Sequence, residues 1–286
     1  MPEVPATKAP VSPVPASTIL LLRDGARALE VFMVERHHKI DFAEGALVFP
    51  GGKTEESDGD PALLAHCRSN ADSPLDRLSD AERAVRVGGI RETFEECGVL
   101  LARPHGEEGL LDANRLARIA ARYREPLHEQ SVTMLELLEA ESLELALDRL
   151  VPFAHWITPE FMPKRFDTYF FLVAAPTDQL ALHDGSESVD SLWTTVPHAL
   201  ELEENGHRTI LFPTLENIKK LGRSSSVGAA LDRARREEIV PVLPRLEQDE
   251  QGQRFMVLPE AAGYETVRAP IGAKAGGRMP RGAPSQ

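Results

Sequence analysis

Phe49-Pro50-Gly51-Gly52-Lys53-Thr54-Glu55-Glu56-Ser57-Asp58 and Arg91-Glu92-Thr93-Phe94-Glu95-Glu96-Cys97-Gly98-Val99 belong together and decide how the chain reads. At about 100° per residue, Glu92, Glu95 and Glu96 share one face of a helix, while Val87, Ile90, Phe94 and Cys97 share the other. Like charges four apart destabilise a helix by roughly 0.2–0.5 kcal/mol per pair, so this cluster calls for a compensating cation. A donor set made only of oxygen suits Mg²⁺ or Mn²⁺. Gly88 and Gly89 fall toward the carboxylate face, although each costs a helix interior about 1 kcal/mol relative to Ala. Close approach of the Gly51-Gly52 loop accounts for them, with the Gly52 carbonyl as a further metal ligand beside Glu92, Glu95 and Glu96.

Outward from this pair, Ala46 to Phe49 reads as a strand stopped by Pro50. Ser79-Asp80-Ala81-Glu82 is a capping-box pattern that starts the acidic helix near Asp80. Ser17 to Leu22 and Leu29 to Glu35 read as a hairpin across Asp24-Gly25.

The two stretches resemble the signature of the Nudix hydrolases, a Gly, an acidic residue six positions on, then R-E-x-x-E-E-x-G. Gly52 opens the match, and Arg91-Glu92-x-x-Glu95-Glu96-x-Gly98-Val99 closes it. Asp58 stands where the family has Glu, and Thr93 takes a bulky apolar position. Arg91 follows Asp58 by 33 residues where the pattern allows 8, so 25 residues interrupt the box. That interruption, a helical insert after it, Trp156-x-Thr158-Pro159 with Arg165-Phe166-Asp167-Thr168, and the segment from Glu187 to Trp193 together look like the coenzyme A diphosphatase branch.

The resemblance, from about Ser17 to Tyr264, implies an α/β/α sandwich with a mixed sheet and helical insertions. It implies metal-dependent hydrolysis of the diphosphate in coenzyme A or its thioesters, giving 3′,5′-ADP and (acyl-)4′-phosphopantetheine. Glu96 and Glu95 would be the main ligands, with Glu92 a ligand or the general base. Arg91 would hold a carboxylate, with Asp58 as the candidate partner. Glu187, in a Gly-containing loop, competes with Glu92 for the role of base. The substrate-binding candidates are Arg36, Lys53 and Arg165; Arg36 belongs to a basic cluster that reads equally as a solvated loop, and Arg165 reads equally as a partner of Asp167. Trp156 and Trp193 read as core, with stacking on adenine as the other role. The signature binds diphosphate and metal alone, so ADP-ribose, nucleotide sugars and dinucleoside polyphosphates stay open as substrates, as does a nucleotide sensor without catalysis.

The rest of the chain sets bounds. With 286 residues, 42% of them hydrophobic, it can bury a large core as one decorated domain over 17–268, interrupted at 59–80 and 109–150. A Pro-rich lead over 1–16 and a Gly/Pro/Arg-rich tail over 269–286 read as disordered. The net charge of −13 opposes broad binding to nucleic acid, leaving a small diphosphate-bearing molecule as the partner. No apolar run approaches a membrane span, and the two cysteines form no disulfide framework. The chain ends Pro284-Ser285-Gln286, without the peroxisomal tripeptide that animal members of the branch carry, so a cytoplasmic location is expected. The helices over 109–150 are expected to lie away from the chemistry, as a lid or a homodimer surface.

Overall fold

The computed structural model describes residues 11–35, 46–67, 77–176, 179 and 191–271. Its centre is β1 (Val14–Asp24), in which Ile19 and Leu21 point to one face, Leu20 and Leu22 to the other, and all four are buried. A strand covered on both faces carries such an unbroken apolar run. β1 pairs antiparallel with β2 (Leu29–Glu35) and, through its first half, with β4 (Gly51–Lys53). On its other side it runs parallel to β8 (Phe166–Ala174), which pairs antiparallel with β7 (Val151–Ile157). β3 (Ala46–Val48), β9 (Ser191–Thr195) and the short β10 (Thr209–Ile210) complete an eight-stranded mixed sheet.

Helices cover both faces. Ile19, Leu21 and Phe171 pack with α1 (Pro61–Ala65), α2 (Asp80–Cys97), α3 (Ala113–His128) and α4 (Met134–Glu141). Leu20, Leu22 and Leu172 pack with α5 (Val196–Glu204), α6 (Phe212–Leu221) and α7 (Val227–Arg236). This is the expected α/β/α sandwich with helical insertions.

Several elements differ from the sequence reading. Val99 to Ala102 reads in the sequence as a strand; the strand lies later, as β5 (Ala102–Pro104) paired with β6 (Leu143–Leu145), while Val99 to Leu101 are buried in the core. Pro126 reads in the sequence as the end of α3. The helix continues two residues further to His128, and this extension buries Leu127. Within the insert, Leu63, Leu64 and Cys67 are buried in the core with α2. Val240 to Leu246 and Phe255 to Leu258 read in the sequence as a final hairpin; it forms from β11 (Arg245–Gln248) and β12 (Arg254–Val257), and a third strand, β13 (Arg268–Pro270), joins it.

Candidate active site

α2 begins as its sequence requires. The Ser79 side chain accepts from the Glu82 amide and the Glu82 carboxylate accepts from the Ser79 amide, closing a capping box. The helix ends at Gly98, left-handed at φ 69°, whose N–H bonds to Phe94 O at 2.8 Å. Between these caps, Val87, Ile90 and Phe94 are fully buried, which turns the carboxylate face toward the Gly51-Gly52 loop.

The loop lies close against both α2 and β1. A Cβ on Gly52 would stand 2.4 Å from Glu92 Cδ, and one on Gly51, at φ 154°, would stand 2.2 Å from Ser17 O. The Gly51 amide donates to Glu96 Oε2 at 3.0 Å. Gly88 and Gly89 serve other approaches than the expected one. Gly88 packs on Asp58 and Thr54, and Gly89 on Ser17 of β1.

Arg91 is the hub. Its Nε donates to Asp58 Oδ1 at 2.9 Å and Nη2 to Asp58 Oδ2 at 3.2 Å, a two-point bond between a guanidinium and a carboxylate that are both buried. Nη2 also donates to Lys53 O at 2.9 Å, and Nη1 to Glu92 Oε1 at 3.2 Å and Glu95 Oε1 at 3.1 Å. The glutamate cluster therefore has a protein cation, which the sequence reading did not credit as its counter-charge. Burial works against the Arg91 charge, but Asp58, Glu92 and Glu95 outweigh it and hold its proton more tightly. Burial pushes the Asp58 carboxyl up while Arg91 and the Glu55 amide pull it back. A guanidinium stays charged in proteins, so Arg91 supplies the positive half of the pair. Glu92 is likewise pushed up by burial, and only partly drawn down by Arg91.

A family model described as the NUDT19 Nudix domain matches residues 60–221, more than half of the chain. The chain belongs to that family. This Nudix domain is similar to the acyl-coenzyme A diphosphatase NUDT19 of Gallus gallus, at 29% identity over 69% of this chain and 62% of the relative. It is also similar to that of Xenopus laevis, at 26% identity over 60% and 54%. It thus spans less than two thirds of the length of the curated relatives it matches. A crystal structure of a NUDIX hydrolase from Alicyclobacillus acidocaldarius superposes with a TM-score of 0.57 at 26% identity, covering 77% of this chain and 96% of that one. The family match begins after Gly51-Gly52 and Asp58, so the two-point Asp58–Arg91 bond is what joins the upstream half of the interrupted box to the matched half.

The donor set of the Nudix domain suits a hard divalent cation. Glu55, Asp58, Glu92 and Glu95 gather around a single buried guanidinium, Glu96 is held by the Gly51 amide beside them, and these five side chains offer oxygen alone. Among the described residues no three His, Cys, Asp or Glu side chains converge as a ready cage. The reason is visible: Arg91 takes oxygens of Glu92 and Glu95, and the Gly51 amide takes one of Glu96.

Of the other expected site residues, Lys53 has its side chain exposed beside the loop. Arg165 is a correction. It is buried, and its Nε and Nη1 are committed to the carbonyls of Thr158 and Val11, so it braces the start of β1 against the β7–β8 loop and offers no open phosphate contact. Asp167, its alternative partner, bonds His155 instead. Trp156 is core, its Nε1 donating to Tyr264 at 2.9 Å, and one face of Trp193 is covered by Arg23 at 4.4 Å. Arg36 and Glu187 lie outside the described residues.

The sequence reading missed Glu55 and one face of α3. Glu55 forms a capping box with Asp58 over the short 3₁₀ turn Glu56–Gly59, a pattern legible in its spacing. From α3 and its end, His128 Nδ1 lies 3.6 Å from Glu95 Oε2 and Gln130 Nε2 donates to Glu55 at 3.1 Å, contacts that no spacing announces.

Proposed function

We propose that this Nudix domain hydrolyses the diphosphate linkage of coenzyme A or an acyl-coenzyme A, giving 3′,5′-ADP and (acyl-)4′-phosphopantetheine. The observation that carries the reading is the Asp58–Arg91 bond, which closes the box across its insertion and seats the Gly51-Gly52 loop on Glu92 and Glu96. The substrate class rests on the names of the avian and amphibian relatives.

Glu92, Glu95 and Glu96, with the Gly52 carbonyl, would hold Mg²⁺ or Mn²⁺. Such a cation neutralises phosphate charge, polarises phosphorus and lowers the pKa of the attacking water. Arg91 fixes the bearing of Glu92 and Glu95 through Nη1 while its other nitrogens anchor it to Asp58 and Lys53 O. The Gly51 amide orients Glu96. Lys53, exposed at the loop, would meet a phosphate. Glu92, with its proton affinity raised by burial, and Glu187 are the two candidates to take the proton from water.

The test is a substrate panel with Mg²⁺ and Mn²⁺, products identified by mass. Coenzyme A should yield the two named products, and Glu96→Gln should lower kcat by orders of magnitude with the fold intact. Cleavage of ADP-ribose but not coenzyme A would move the substrate, and near-normal turnover in excess chelator or in Glu96→Gln would remove the metal-dependent reading. Glu187→Gln should lose kcat more than KM; a wild-type kcat across the pH range would return the role to Glu92 or to a hydroxide needing no protein base.

A further inference from the structure

We propose that α3 is a wall of the active site and that Arg124 is the positioning residue for the glutamate-bearing turn of α2. Its functional consequence rests on the diphosphatase reading above. The last four carbonyls of any helix lack intrahelical partners, and in α2 these include the carbonyls of Glu95 and Glu96. The same turn places two carboxylates at the negative end of the helix dipole, and α2 has no basic residue of its own there. Its composition alone leaves the turn frayed and electrostatically opposed.

Arg124 answers both problems from another element. Its Nε donates to Glu95 O and its Nη2 to Glu96 O, each at 2.8 Å. One planar fork therefore satisfies two adjacent carbonyls and sets a positive charge at the helix end, a geometry a single ammonium cannot reproduce. α3 can hold this fork steady because Leu116, Ile119, Tyr123 and Leu127 bury the neighbouring stripe of the helix in the core. One turn beyond Arg124, His128 approaches the Glu95 carboxylate, and just past the helix end Gln130 bonds Glu55. The glutamates are thus held through their backbone by Arg124 and through their side chains by Arg91 and the Gly51 amide. A turn held on both sides keeps Glu95 and Glu96 aimed at one point, as ligands of one cation must be.

The experiment compares Arg124→Ala and Arg124→Lys in the full chain. Three readouts are needed: Mn²⁺ affinity from the electron paramagnetic resonance of free Mn²⁺, hydrogen exchange across 92–99, and kcat and KM on coenzyme A. Both variants should bind Mn²⁺ about 10–100-fold more weakly, exchange the last-turn amides faster, and lose kcat more than KM. Arg124→Lys keeps the stem and the charge, so it carries the test if the alanine variant does not fold. Wild-type Mn²⁺ affinity in a folded Arg124→Lys protein would overturn the proposal, as would unchanged exchange across 92–99. If the wild type binds Mn²⁺ but leaves coenzyme A intact, the substrate reading fails alone, and Arg124 is still judged by affinity and exchange.

Discussion

Asp58 shows how a departure from a family pattern can be a fit. The family position is Glu, one methylene longer, yet Asp58 reaches Arg91 at 2.9 and 3.2 Å because its carboxylate sits directly against the helix at Gly88. Asp58 is 1% exposed and its carboxylate already lies against α2, where a Cβ on Gly88 would stand 2.8 Å from Oδ2, so a longer side chain must push the turn or the helix. Asp58→Glu, which restores the family residue, should therefore destabilise the fold by about 1–3 kcal/mol through overpacking. Urea denaturation of the variant measures this, and a stability equal to wild type would show that the turn relaxes. Gly52→Ala is the complementary case. Its methyl would displace the Glu92 carboxylate, so kcat should fall at least tenfold with little change in melting temperature.

At the scale of the element, α2 depends on its N-terminal box. Ser79→Ala should cost about 1 kcal/mol, read by denaturation. The box also makes the helix start sensitive to acid. Hydrogen bonds from the Ser79 side chain and amide hold the Glu82 carboxyl below its ordinary value. A group whose folded pKa is depressed contributes stability above its unfolded pKa, near 4.3, and loses it as pH falls through the folded value. The wild-type melting temperature should consequently drop more steeply below about pH 4.3 than that of Ser79→Ala; parallel curves would remove Glu82 from the acid limb. α1 is anchored by core contacts, not by the site. Leu64→Ala should cost about 2–5 kcal/mol, whereas a short Gly/Ser linker in place of 68–76 should alter stability or KM more than metal dependence.

Across the whole molecule, the face of the sheet opposite α2 is tied to the C-terminal segment by a buried polar chain. Trp156 Nε1 donates to Tyr264 Oη at 2.9 Å, and Tyr264 donates to Asn217 Oδ1 at 2.7 Å. Tyr264→Phe would strand a buried donor on β7 and a buried acceptor on α6, at a cost of about 1–3 kcal/mol. Because α2 packs on the other face, kcat should stay within twofold of wild type. A loss of kcat without a loss of stability would instead show that the two faces are coupled through β1 and β8.

Features made by neighbours in sequence were legible from the residues alone. The i, i+3, i+4 spacing of Glu92, Glu95 and Glu96, the Ser79–Glu82 box, the Gly-Gly loop and the apolar run of β1 all obey helix or strand geometry, which acts over a few residues. Partners brought together over long separations were decided only by the tertiary structure. Arg91 meets Asp58 across 33 residues and Lys53 O across 38, and Arg124 meets Glu95 and Glu96 across 29 and 28. Arg165, open to phosphate on its sequence context, is instead consumed by Val11 O across 154 residues because β8 runs parallel to β1. A charged side chain advertises its chemistry in sequence, but its partner is set by strand register and helix packing, which no local pattern encodes.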